Sequence, residues 1–179
     1  MKNWRAVPIN HFVYGEFKQS RPCRLLPAEV GKFYDNFVPA SVDVVPVITT
    51  GTEKKILLGL RYEDPKIWWT IGRGMVPGES PAETAIRALR EEFGIDTDSN
   101  RFKFICINSS VFDRRRQQRE ENGRHCLTVV FSLEVRPDEI DNFSLKNEKY
   151  QKLGWFPIPI PKINYLDFNS TIMATVACL

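Results

Sequence analysis

The stretch GMVPGESPAETAIRALREEFGI, residues 74–95, constrains the fold more than any other part of the chain. Ser80 is a favoured helix cap, Pro81 suits the first helical position, and Glu83 completes a capping box. Ala82, Ala85, Ile86, Leu89 and Phe93 share one face, so this helix has to lie against a core. Gly94 is a natural stop. Thr84, Ala88, Glu91 and Glu92 form one flank, and Arg87 stands one turn before Glu91. Adjacent carboxylates are most often a solvated surface, but here a loop with Gly74, Pro77 and Gly78 precedes them. Glycines let a backbone approach a ligand closely, and a loop carbonyl beside helix carboxylates is a hard-oxygen site suited to Mg²⁺.

Around this helix the pattern predicts a mixed sheet covered by helices. SVDVVPVI and KKILLGLR read as a hairpin closed by TTGTE, with Pro46 suggesting an edge strand or a bulge. RFKFICINSSVF and HCLTVVFSLEV are two further strands flanking the charged loop DRRRQQREENGR, and KLGWFPI is another. Pro27 opens a helix with Val30, Phe33, Tyr34 and Phe37 at helical spacing. DFNSTIMATVACL reads as a C-terminal helix capped by Asp167 or Asn169. Residues 1–26 lack clear periodicity and read as an arm or an edge strand.

A chain of 179 residues with 12 Phe and 4 Trp has ample material for one core and too little for two domains. A net charge of +3 argues for neither nucleic acid nor an anionic membrane as partner. The basic part of DRRRQQREENGR is followed at once by Glu120 and Glu121, so the segment reads as a solvated hairpin loop. Cys23, Cys106, Cys126 and Cys178 form no CxxC pair, and His11 and His125 have no metal-finger spacing, which points to reduced structural thiols. Neither a signal-like segment nor a bilayer-length apolar run is present, so a soluble cytoplasmic protein is expected.

The segment 73–95 resembles the Nudix box, G-x5-E-x7-R-E-U-x-E-E-x-G-U, where U is a bulky aliphatic residue. Glu79, Arg87, Leu89, Glu91, Glu92, Gly94 and Ile95 fall on their places, and matches at fixed spacing in this number are specific. Arg73 stands in place of the first Gly, and Ala88 in place of the Glu that is commonly a metal ligand. The resemblance implies a Nudix-type α/β/α sandwich over residues 27–179, behind an N-terminal arm of residues 1–26. It also implies a single Mg²⁺ (or Mn²⁺) held by Glu92, a loop carbonyl and a downstream acid. Glu91, Glu92 and Arg87 are then the catalytic candidates, with Glu79 and Gly94 as further box residues.

ILLGLR…WWTIGRGMVPGE is similar to the corresponding stretch of GDP-mannose mannosyl hydrolases, a subgroup that also lacks the glutamate replaced by Ala88. By that likeness Arg61 contacts the diphosphate, Gly72 offers its carbonyl to the metal, and Glu148 is the late metal ligand or base. Arg73 can face the phosphates, and Trp68 or Trp69 can stack on a base or sugar, with at least one of them in the core. The subgroup's catalytic histidine has no counterpart; Lys149 and Tyr150 occupy its neighbourhood.

The expected activity is Mg²⁺-dependent hydrolysis of a nucleoside diphosphate linked to another group, a nucleotide-sugar such as GDP-mannose first among them. One alternative is attack at phosphorus on a nucleoside triphosphate, ADP-ribose or a dinucleotide. A second is a non-catalytic nucleotide-binding regulator. Subgroup relatives often work as dimers, so a homodimer is compatible with the reading.

Overall fold

The computed structural model describes residues 9, 11–14, 25–62, 66–117, 119–146, 149–160 and 170–179. The order of elements is α1 (Pro27–Asn36), β1 (Ala40–Thr50), β2 (Glu53–Arg61), β3 (Trp68–Trp69), β4 (Ile71–Gly74), α2 (Pro81–Phe93), β5 (Phe102–Phe112), β6 (Arg124–Glu134), β7 (Tyr150–Ile158) and α3 (Ser170–Val176). The strands form one seven-stranded sheet in which β3-β2-β1-β6-β5 are successive neighbours, with β4 added to β1 and β7 to β2. The β1–β6 pairing is parallel and the others are antiparallel, so the sheet is mixed as expected.

Alternation along the central strand places the core. Val42 and Val44 join Ala85, Leu89 and Phe93 of α2 on one face, while Val45 and Val47 join Ile172 and Val176 of α3 on the other. A strand that buries both faces reads as a nearly continuous run of valines. Helices on opposite faces of the sheet give the α/β/α sandwich. Ile9 packs against the α2-side core. The rest of residues 1–26 lies largely outside the described residues.

Pro46 is not on an edge strand. It lies in β1, where Val44 pairs with Ile71 of β4 and Val47 with Ile56 of β2. The proline therefore falls in the interval where β1 changes antiparallel partners, which lets a central strand carry it. The predicted hairpin turn holds, with Gly51 at φ 62°. The strand β4 has no counterpart in the sequence reading, which treated its residues as part of a loop. The predicted caps of the C-terminal helix, Asp167 and Asn169, lie outside the described residues.

The helix α2 is built as its sequence requires. The Ser80 hydroxyl accepts from the Glu83 amide at 3.2 Å, and Gly94 closes the helix at φ 72°. Such a cap contributes about 1 kcal/mol. Ala88 is fully buried beside Leu89, so the position that carries a carboxylate in the box here belongs to the packed face. Among the described residues, no helix is long and apolar enough to cross a membrane.

Candidate active site

The short strand β4 lies between β1 and the loop into α2, which brings Gly72 and Arg73 to the acidic end of the helix. Asp43 of β1 is the register partner of Gly72. A side chain at residue 72 would collide with the Asp43 carboxylate and the Val42 carbonyl. Only glycine lets the two strands close with Asp43 turned inward.

Loop and helix are joined by Arg87. Its Nε and Nη2 donate to the two Glu79 carboxylate oxygens at 2.7 and 2.9 Å, and Nη2 also donates to the Gly74 carbonyl at 2.8 Å. The Thr84 hydroxyl adds a bond to Glu79 at 2.9 Å. Burial pushes the Glu79 carboxyl up, but the Arg87 and Thr84 hydrogen bonds more than offset it and leave it below its usual range. The sequence reading gave Arg87 to Glu91. Arg87 Nη1 does lie 3.5 Å from Glu91 Oε1, but its bidentate partner is Glu79. Arg87 is thus placed to fix the loop and, through it, Gly72 to Gly74.

Glu92 is 0% exposed. A buried carboxylate needs countercharge, and two cations provide it. Arg73 Nε lies 3.0 Å from Glu92 Oε1 and 3.1 Å from Glu91 Oε2. These are charge contacts, because the Arg73 Nε–H is buried and makes no hydrogen bond. The Lys149 ammonium donates to the Gly72 carbonyl and to Glu92 Oε1, the latter at 3.4 Å. The Lys149 side chain is 39% exposed along its length, while its tip is enclosed. Burial of that tip pushes the ammonium below its usual range, with Glu92 opposing the shift.

A cleft of about 320 Å³ opens beside this cluster, lined by Asp43, Arg61, Trp69, Arg73, Arg124 and Lys149 among others. Arg61 stacks on Trp69 with 5.9 Å to the ring centroid, and Arg124 lies over Phe112 at 5.3 Å and Tyr34 at 5.7 Å. Burial raises the Asp43 carboxyl above its usual range, against opposing hydrogen bonds from Thr70 and Trp69 and the charges of Lys149 and Arg124. It is the one carboxylate among the described lining residues.

Arg61, Gly72 and Arg73 line this cleft, and Arg73 reaches from it to Glu91 and Glu92 at the end of α2. Trp68 goes elsewhere: its ring packs edge-on against Phe156 at 4.7 Å, and Trp69 takes the cleft wall. Glu148 lies outside the described residues. His125 bonds to Ser109 on the exposed side of β6 and β5 and does not line the cleft.

Asp43 and Arg124 escaped the sequence reading. The signal for Asp43 was a single charge in a run of valines. Arg124 carried no separate signal, because it is the last residue of the segment DRRRQQREENGR, whose pattern suggests a solvated loop. That loop is also less solvated than expected. Arg115 is buried and donates to Asp35 of α1 at 2.7 Å and to the Gly123 carbonyl at 3.1 Å.

The donor chemistry at the end of α2 fits a hard divalent cation. The Glu91 and Glu92 carboxylates and the Gly72 carbonyl offer the oxygen set that Mg²⁺ takes when it leaves positions for water and phosphate. The Lys149 ammonium, bonded to both Gly72 and Glu92, marks the point where these donors converge on positive charge. Among the described residues no group of three His, Cys, Asp or Glu side chains could hold a metal ion.

Comparisons with known proteins bear on the fold and the family. The NUDIX domain model matches residues 39–169. The chain is similar to dihydroneopterin triphosphate diphosphatase of Haemophilus influenzae, 31% identical over 101 residues, covering 54% of this chain and 64% of that protein. It therefore spans less than two thirds of that curated relative. Among solved structures it resembles a C. elegans Ap4A hydrolase binary complex (TM-score 0.56, 15% identity, 78% of this chain and 93% of that one). It also resembles a MutT NUDIX hydrolase from Burkholderia pseudomallei (TM-score 0.56, 20% identity, 80% and 99%). At these identities the structural likeness speaks to the fold, and the family model extends it to the sequence. The chain belongs to the NUDIX family.

Proposed function

We propose that this chain is a hydrolase of nucleoside diphosphates linked to another group, working in the cleft between β1, β4 and the end of α2. A nucleotide-sugar such as GDP-mannose is the leading substrate. The observation that carries the reading is the convergence of Arg61, Arg73, Arg124 and Lys149 on one cleft beside the buried Glu92. Four cations around about 320 Å³ suit a polyanion far better than a neutral ligand. Trp69 adds a face on which a base or sugar can stack.

A divalent cation held by the Gly72 carbonyl and Glu92, Mg²⁺ first and Mn²⁺ in its place, would neutralise charge on the diphosphate. Arg61 and Arg124 bind the outer phosphate oxygens and stabilise charge on the leaving group. Asp43, standing among these cations, takes the proton of the attacking water. Glu79 and Arg87 hold the loop so that the Gly72 carbonyl stays aimed at the site. The division into an arm of residues 1–26 and a domain of residues 27–179, and assembly as a homodimer, belong to the same proposal.

A second reading places attack at phosphorus, on a nucleoside triphosphate, ADP-ribose or a dinucleotide. The names of the relatives, a diphosphatase and an Ap4A hydrolase, favour it. Product analysis separates the two. Incubated with Mg²⁺ and GDP-mannose, the protein should release mannose and GDP. Release of GMP would move attack to phosphorus. Binding without turnover across a panel of nucleotides would replace both with a non-catalytic regulator, a role that the buried Ala88 would then explain.

A further inference from the structure

We propose that Lys149 is a resident cation sharing one seat with the divalent metal, so that metal enters only by displacing the Lys149 ammonium from Gly72 and Glu92. The inference rests on the cleft being a metal-dependent diphosphate site, and it concerns what this chain does before the metal arrives.

The ammonium donates to the Gly72 carbonyl and Glu92 Oε1, which are also the two oxygens assigned to the metal. A hard cation held by these two oxygens would need the same lone pairs. Joint occupancy would also place an ammonium against a double positive charge, with Arg73 already 3.0 Å from the same carboxylate oxygen. The two states therefore exclude one another.

The buried Glu92 explains why a resident is needed. Its carboxylate is 0% exposed, and an uncompensated charge there would be expensive. Where the family's box has a further glutamate, this chain has the buried Ala88, which lowers the local negative charge. Arg73, Lys149 and Arg87 then stand against Glu91 and Glu92, so both carboxylates have countercharge without metal.

The displaced lysine has a destination. Its side chain is 39% exposed and lysine has several rotatable bonds. Asp43, the register partner of Gly72 and part of the same cleft lining, offers it a second carboxylate. Metal loading would thus release the ammonium from Gly72 and Glu92 while leaving it on the cleft that it already lines.

The test is Mn²⁺ binding to the full chain, followed by electron paramagnetic resonance without nucleotide. Lys149→Met should bind Mn²⁺ more tightly than the wild type by about tenfold or more, within the range usual for competing ligand equilibria. Adding Glu92→Gln should abolish that gain. Equal or weaker binding by Lys149→Met overturns the proposal. A second measurement needs no variant: in the wild type, saturating Mg²⁺ should speed acetylation of Lys149 by an amine-reactive ester, read by mass spectrometry against the other lysines. Protection or no change overturns it. Failure of the functional reading looks different. Tighter Mn²⁺ binding by Lys149→Met, with no turnover by the wild type on any nucleotide, would remove the hydrolase and leave the shared seat. Turnover with unchanged Mn²⁺ affinity in Lys149→Met would do the reverse.

Discussion

Arg87 and Glu79 face each other through two parallel hydrogen bonds, 2.7 and 2.9 Å long, across the turn that leads from β4 into α2. Bidentate pairing of this kind fixes direction as well as distance. The pair explains how a helix and a loop keep Gly72 and Glu92 in register without touching a substrate.

Replacing Arg87 by Lys should therefore not be conservative, since a point charge cannot reproduce the fork. We expect a loss of about 1.5–3 kcal/mol in denaturant unfolding and a fall in turnover larger than any change in substrate affinity. Turnover equal to wild type in a variant that has lost this stability would separate the pair from the site.

Glu92→Gln should keep the fold and lose turnover by about 10²–10³, the cost of removing one electrostatic element from a catalytic site. Circular dichroism and steady-state kinetics on the same preparation check both halves. Retained activity would remove Glu92 from the centre of the account.

Gly72→Ala forces a side chain into the Asp43 carboxylate and the Val42 carbonyl. Overpacking against backbone should cost about 3 kcal/mol, visible as a lower melting temperature. Adding Asp43→Gly removes one of the two obstacles and should recover part of the loss; full additivity would contradict the packing argument.

Arg115→Ala removes one of two bonds that tie the loop of residues 113–123 to Asp35 on α1, leaving the Asn122 amide at 2.9 Å. Trypsin should then cut after Arg114 or Arg116 at a rate raised by about tenfold, because local opening governs cleavage of native chains. An unchanged cleavage pattern would show that the loop is held by other contacts.

How much of this was legible in the sequence depends on the distance over which each feature is encoded. The helix α2 carries its own cap, stop and buried face within one continuous stretch, and the hairpins β1–β2 and β5–β6 are likewise local. The four-residue β4 has too few positions to show a period, and only its pairing with β1 makes it a strand. The burial of Arg115 depends on Asp35, eighty residues away. The Lys149–Gly72 contact spans 77 residues. Charge and loop position suggested solvent for Arg115, and tertiary contact overrode them.

Acid stability offers an independent check on the far side of α2. Hydrogen bonds from Arg101 hold the Glu139 carboxyl at about 2, despite some burial. A depressed folded value contributes stability that is complete above the ordinary carboxylate range and fades as pH falls toward about 2. Glu139→Gln should cost about 1 kcal/mol at neutral pH, given the solvent screening that remains for a partly exposed pair. It should also flatten the stability profile between about pH 4.5 and about pH 2. A parallel profile in the variant would contradict the assignment.

The most direct test of the central claim is hydrolysis in ¹⁸O-labelled water with Mg²⁺, using nucleoside diphosphate derivatives and GDP-mannose first, with wild type and Glu92→Gln side by side. The account predicts label in a product of the cleaved linkage, in mannose for attack at carbon, and its loss in Glu92→Gln. Unlabelled products, or equal labelling by the two proteins, would contradict it.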